Sequence, residues 1–223
     1  DLADVERRDE VFSSRGCYRA IVATEEVNMI AQDDPEHLAQ RRLVNRRFTP
    51  RAVHELEPLL RSVIDELVAA ATAKGQLEVI WDLAGQLPGR LTAHLLGFPE
   101  ERWSDIKSWS ERLMRTDVID RDNDAAMGML SAIMEFNGLL QATAEERRAC
   151  PADDLVSTWV GAGYDEFKLI HETGLFIAGG AETTRTAIAR GLRVFCDHPD
   201  QWEAAAADPS LVPGAVEELL RWV

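Results

Sequence analysis

The 223 residues include 39 Asp or Glu against 24 Lys or Arg, a formal charge of −15, and 46% are hydrophobic. That apolar fraction supports a folded domain with a real core. The acidic excess argues against a surface built as a whole for nucleic acid. No apolar run is long enough to span a membrane, and none reads as a signal peptide. Cys17, Cys150 and Cys196 are odd in number and far apart. They make neither a zinc spacing nor a disulfide framework, each is expected to be a small buried or surface residue, and a reducing cytoplasm is the expected compartment. The chain opens on Asp1 and closes on Val223 straight after a helical pattern, so both ends are expected to be cut.

Taken in order, residues 1–32, with Val-Phe-Ser-Ser at 11–14 and an apolar patch at Ile21, Val22, Met29 and Ile30, predict a short helix and then loop. Asp34 is a good N-cap and Pro35 suits a first helical position, so a helix is expected from there to about Arg47. Pro50 disfavours helix at Thr49. His37 and Arg41 are four apart and share a face. Two donors at that spacing can hold paired carboxylates, although an isolated pair of this kind more often packs or is solvated. Arg41, Arg42, Arg46, Arg47 and Arg51 form a basic cluster on an acidic chain. A charge run is usually a solvated face, but this one can steer an acidic partner.

Residues 50–74 predict one amphipathic helix capped by Thr49, kinked at Pro58 and ended by Gly75, with a stripe of Val53, Leu56, Leu60, Val63, Ile64, Leu67 and Val68. Residues 76–97 predict another, stopped at Gly97-Phe98-Pro99, with His94 as a packed histidine. Two more helices are expected over 99–115 and about 123–149. Trp103, Trp109, Met127, Met129, Leu130, Ile133, Met134, Phe136 and Leu139 are their expected core, some of them facing a substrate. A short helix restarts at 151–157.

Residues 164–198 predict a helix of roughly 50 Å, long enough to cross a domain. It runs from the N-cap Asp165 to His198, where Pro199 stops it. Lys168, His171, Glu172, Glu182, Arg185, Arg190 and Arg193 exclude a membrane span. Its middle is built against stability: Gly179 and Gly180 each cost about 1 kcal/mol relative to Ala. The glycines remove side chains where a flat ligand can approach. Thr183 can bond a carbonyl one turn back and loosen the ladder, and Glu182 beside it can relay protons. The residues alone leave a plain Gly-Gly kink with a solvated Glu equally open. After Pro199 come a helix with Trp202 and a last one in which Glu218 and Arg221, three apart, can pair.

Three stretches carry a resemblance. Gly179-Gly180-Ala181-Glu182-Thr183-Thr184 resembles the central-helix signature of the cytochrome P-450 family, haem-thiolate monooxygenases, whose pattern is small–Gly–any–acid–Thr. Asp-Pro-Glu-His-x-x-x-Arg-Arg-x-Val-x-x-x-Phe-Thr-Pro-Arg at 34–51 is similar to a bacterial P-450 pattern. Pro-Gly-Ala-Val-Glu-Glu-Leu-Leu-Arg at 213–221 is similar to the family's Glu-x-x-Arg helix. The order and separation also fit.

The resemblance implies a mainly α fold: an incomplete P-450 domain over 1–223, lacking an N-terminal part and the segment with the haem-ligating cysteine, whose Phe-x-x-Gly-x-x-x-Cys context none of the three cysteines has. No residue here is then a metal ligand, and the chain alone is expected to be inactive. It implies haem b, with His37 and Arg41 on the propionates. Gly179 and Gly180 leave room for dioxygen, and Thr183 holds it and a water by hydrogen bonds. Glu182 brings protons, and Glu218 with Arg221 is a structural lock. It further implies a ferredoxin-type electron donor, fed by NAD(P)H and docked on the basic cluster. Part of 1–32 is expected to line the substrate pocket. Thr-Thr-Arg at 183–185 and Arg-Trp-Val at 221–223 look like actinobacterial subfamilies that hydroxylate sterol side chains and branched lipids, hence a small lipophilic substrate. The alternatives are a non-catalytic helical ligand-binding or regulatory protein, an inactive relic, or a family member that carries out peroxygenation or isomerisation.

Overall fold

The computed structural model describes residues 2–5, 7–8, 10–16, 26–115 and 122–222; Cys17, Ile21, Val22 and Val223 lie outside them. All regular structure among the described residues is helical, as expected: α1 (Leu2–Val5), α2 (Glu36–Val44), α3 (Pro50–Glu55), α4 (Glu57–Lys74), α5 (Gln86–Leu96), α6 (Trp103–Met114), α7 (Asn123–Ala149), α8 (Leu155–Gly161), α9 (Glu166–Ile177), α10 (Thr183–Asp197), α11 (Pro199–Ala207) and α12 (Val212–Trp222). Two π-helical turns, Ile80–Ala84 and Ala178–Glu182, interrupt the α pattern. Short 3₁₀ turns include Met29–Ala31 before α2 and Asn45–Phe48 after it.

Local chemistry sets the helix ends. The Thr49 hydroxyl accepts from the Ala52 N–H at 3.2 Å and Pro50 opens α3. Asp122, Asp154 and Asp165 cap α7, α8 and α9 through N–H groups of the first turn. Gly75 (φ 69°) and Gly97 (φ 84°) close α4 and α5 in the left-handed region. At Gly97 a Cβ would also lie 2.2 Å from Asp154 Oδ2, so both conformation and space require glycine.

Three expectations are corrected. Residues 50–74 are two helices that meet at Leu56, and Pro58 sits in the first turn of the second, where its missing N–H costs nothing. Residues 76–97 begin with a π turn, and only 86–96 are α. In α7, Met127, Leu130 and Met134 are exposed (64%, 47% and 70%). They recur at helical spacing on the side opposite Met129, Ala132, Phe136 and Leu140, which are buried.

The core lies where α5, α6, α7, α8 and α9 converge. Trp109, Trp159, Phe136, Leu96, Ile106 and Leu140 are fully buried there, each contributing about 2–3 kcal/mol of apolar transfer. The Trp109 and Phe136 rings meet edge-on at 6.2 Å. The Trp109 indole N–H donates to Glu135 Oε2 at 2.8 Å, and the Arg112 guanidinium grips both oxygens of that carboxylate. By contrast, α11 and α12 bury no residue. α12 reaches the long helix through a close approach: a Cβ on Gly191 would lie 3.1 Å from Leu219 Cδ1.

Candidate active site

The long helix of residues 164–198 is present, but as α9, a π turn and α10 in series. A π turn widens the backbone ring by one residue and is frequent at functional sites. Its cause is local. The Thr183 hydroxyl donates to the Gly179 carbonyl at 2.7 Å, competing with the helix ladder one turn back. The two glycines differ in role. A Cβ on Gly180 would sit 2.8 Å from Thr92 Oγ1 of α5, so glycine there permits close packing. A Cβ on Gly179 would meet nothing within 4 Å, so that position faces open space.

Thr183 and Thr184 are exposed and line a trough of 340 Å³ with Ala187, Ile188, Val216, Leu219 and Leu220. The two hydroxyl residues stand at one end of an otherwise apolar surface shared by α10 and α12. Gly179, Gly180, Glu182 and Thr183 are thus brought together within about one turn, as their spacing predicts.

Glu182 is held more firmly than its spacing suggests. Its Oε1 accepts from the Arg185 guanidinium, and Arg185 also pairs with Glu111 of α6. Glu111 in turn accepts from Lys107 Nζ at 2.6 Å, and this buried lysine lies 4.1 Å from the Trp81 ring centroid. The result is a line of alternating charge from the π turn of the long helix to the π turn at 80–84. Glu182 Oε2 is buried with no hydrogen-bond partner. Arg185, Glu111 and Lys107 were missed from sequence. The Glu182–Arg185 spacing of three was the available signal, whereas Glu111 is 74 residues away.

His37 and Arg41 lie one turn apart on α2. His37 Nδ1 is 3.2 Å from Asp34 Oδ1 and lines a different cavity, of 600 Å³, with Met29, Ile30 and Asp33. Asp34 Oδ1 also accepts from the Leu38 N–H at 3.1 Å, but the N-cap position itself is Pro35 and α2 starts at Glu36, one residue later than expected. Arg41 is exposed. The basic cluster is less open than its sequence implies. Arg47 is spent on structure, donating to the Asp153 carbonyl and carboxylate and to the Asp154 carbonyl. Arg51 pairs with Glu55 at 3.0 Å, and Arg46 lies 3.9 Å from Asp153. Glu218 and Arg221 pair at 2.6 Å on the surface of α12, 56% and 67% exposed.

Three further residues are placed. His94, expected to pack, is exposed and lines a cleft with Arg46 and Asp153. Cys150 and Cys196 are exposed free thiols. Among the described residues no group of His, Cys, Asp or Glu can hold a metal ion.

No family model matches the chain. A steroid C26-monooxygenase of Mycobacterium tuberculosis is 36% identical over 229 residues, covering 99% of this chain and 60% of that protein. A vitamin D(3) 25-hydroxylase of Pseudonocardia autotrophica is 35% identical over 206 residues, 90% of this chain and 49% of that one. Among solved structures, a myxobacterial cytochrome P450 in complex with myristic acid superposes with a TM-score of 0.80 at 30% identity, over 98% of this chain and 53% of that one. CalO2 superposes with a TM-score of 0.81 at 26% identity, over 98% and 55%. The chain spans about half to three fifths of the length of these relatives. Similarity along nearly its whole length, in sequence and in backbone, places it: the chain belongs to the cytochrome P-450 family.

Proposed function

We propose that the whole protein is a haem-dependent monooxygenase that hydroxylates a small lipophilic molecule, and that this chain supplies the wall on one face of the haem. The observation that carries this reading is the π turn at Ala178–Glu182, with Thr183 bonded back to Gly179, opening onto an apolar trough. The residues fit a flat macrocycle with carboxylate arms. Gly179 leaves space against the backbone, and five apolar side chains offer a surface without charge. Arg41, without an ion pair among the described residues, and His37 are donors for propionates.

Haem b, when bound, would supply the activation of dioxygen. The chain's own residues position water and move protons. The Thr183 hydroxyl can turn from the Gly179 carbonyl to donate into the trough. Glu182 has one oxygen fixed by Arg185 and the other without a partner, so a proton can be carried there without the side chain losing its place. Arg185 keeps that carboxylate aimed by drawing on Glu111. The apolar wall of Ile188, Val216 and Leu220 excludes stray water. Glu218 and Arg221 act as a structural pair.

Sterol side chains or branched lipids are the substrate class, supported by the names of the relatives above. Electrons come from NAD(P)H through a ferredoxin-type donor. Its docking face is centred on Arg42, which makes no ion pair among the described residues, with Arg41, Arg46 and Arg51 at its margin; Arg47 is withdrawn from it. No helix among the described residues is long and apolar enough to cross a membrane, and the cytoplasm is the proposed location.

The test is Thr183→Ala in the full-length protein. Turnover is expected to uncouple, with NADH spent and peroxide released in place of hydroxylated product. Coupling equal to that of the parent contradicts the role given to Thr183. Failure of the full-length protein to take up haem contradicts the oxygenase reading itself and favours a non-catalytic ligand-binding protein.

A further inference from the structure

Buried polar atoms collect at one other place, where the segment before α2 lies against the first half of the long helix. The Met29 N–H donates to Glu172 Oε1 at 3.1 Å and the Val27 N–H to His171 Nδ1 at 3.3 Å. Asn28, between these two anchors, is fully buried (0% exposed), as are Thr173 (0%) and Glu172 (1%). Neither the oxygen nor the nitrogen of the Asn28 amide has a hydrogen-bond partner, and the same holds for Thr173 Oγ1 and Glu172 Oε2.

Thr173 is the informative residue. Thr72, Thr143, Thr158 and Thr183 each donate to the carbonyl four residues back in their own helices. Thr173 leaves that bond unmade although it sits mid-helix in the core. A buried hydroxyl gives up its helix acceptor only for another partner.

The set combines donors and acceptors. The amide supplies both, the hydroxyl supplies both, and the carboxyl oxygen accepts when ionised and donates when protonated. The titratable groups beside it among the described residues are Glu26 of the same segment, His171 of α9 and Tyr164 ahead of α9, whose phenol burial, and then the Glu172 charge, pushes up to about 12. Among the described residues Glu172 makes no ion pair. The side chains are closed off from solvent, so the partner is small, neutral and able both to give and to accept hydrogen bonds. Burial holds the Glu172 carboxyl up at about 7, against the opposing Met29 N–H. An acid left in an apolar site and an acid touching one or two waters both behave this way, so the orphaned neighbours decide the matter.

We propose that Asn28, Glu172 and Thr173 enclose a site for ordered water that bridges the segment of residues 26–29 to α9. Internal water with two to four such partners is a regular structural element of folded proteins. Here it clamps the chain that leads into α2, and so into His37 and Arg41, onto the same helix that carries Glu182 about 15 Å further along. Glu172 and Thr173 are thus positioning residues. The site is separate from the trough and stands or falls independently of the oxygenase reading.

The test uses the full-length protein and the isosteric variant Thr173→Val, for which helix propensity is nearly unchanged. If the hydroxyl holds water, its loss strands that water and lowers Tm by about 3 °C, with faster amide hydrogen exchange over residues 26–32. If the hydroxyl is bare, removing it relieves an unpaired polar group and raises Tm, which overturns the proposal. A crystal structure of the parent guards against an ambiguous melt. Water density within about 3.2 Å of Glu172 Oε2 and Thr173 Oγ1 is the expected result. A direct Asn28–Glu172 or Thr173–carbonyl hydrogen bond with no density between is the contrary one. Glu172→Gln is expected to keep the density and Glu172→Leu to remove it.

Discussion

The two halves of the long helix have similar apolar content and opposite surroundings. α9 buries Leu169, Glu172, Thr173, Gly174 and Ile177, whereas α10 buries only Gly191. α9 is enclosed by α5, α6, α7 and the segment 26–29, while α10 packs on the π turn at Ile80–Ala84 and on α5 along one side and has α11 and α12, neither with a buried residue, along the other. The π turn lies at the boundary. Burial in this helix follows its neighbours as well as its own residues, α10 carrying Arg185, Arg190, Arg193 and Asp197, and the candidate site lies at the boundary between the two halves.

The sharpest way to break this contrast is truncation on each side of the boundary. Phe136→Ala removes a fully buried ring that packs on Trp109 and comes within 3.5 Å of a Cβ built on Gly174. It is expected to cost about 3–5 kcal/mol by denaturant unfolding. Leu220→Ala, at a 57% exposed position, is expected to stay within about 0.5 kcal/mol in this chain. Equal losses would refute the division.

A next test acts through pH. Burial raises the Glu172 carboxyl from its ordinary 4.5 to about 7. The folded state therefore holds this proton more tightly than the unfolded chain does. Its contribution is fully present below about pH 4.5, declines as pH rises, and is lost above about 7. The total is about 3 kcal/mol. Glu172→Gln is expected to flatten that decline in urea midpoints between pH 5 and 7.5. Glu135 has the opposite sign. Arg112, then Ser131 and the Trp109 indole, hold its carboxyl down at about 2. Its contribution is present above pH 4.5 and lost as pH falls toward 2. Because Glu135 is about half exposed, Glu135→Gln is expected to remove only about 1 kcal/mol of it.

The smallest effects divide the glycine pair. Gly180→Ala places a methyl against Thr92 and is expected to destabilise by about 1 kcal/mol. Gly179→Ala meets nothing and is expected to stabilise by up to about 1 kcal/mol through helix propensity. Identical shifts in thermal melts would mean that the π turn, and not Thr92, sets the requirement.

Much of this was legible where the cause is local. Asp165 and Gly97 end their helices as their residue types dictate, and the Thr183 back-bond follows from a threonine one turn after glycine. Pro58 misled because proline at a first turn and proline at a kink look alike until the break at Leu56 is seen. Met127 and Met134 misled because an apolar helix residue names no neighbour. The Arg185–Glu111 pair and the burial of Glu172 depend on elements dozens of residues apart, and no spacing rule reaches them. The basic cluster was legible as charge but not as function, because Arg47 is consumed by Asp153 and Asp154, the residues that lead into α8.

The most direct measurement of the central claim is the reduced carbon-monoxide difference spectrum of the full-length protein. The account predicts a Soret band at the thiolate-ligated position, with a spin shift on adding a sterol or branched lipid. A protein that folds but shows no haem absorption, or binds haem with no thiolate band, would contradict it.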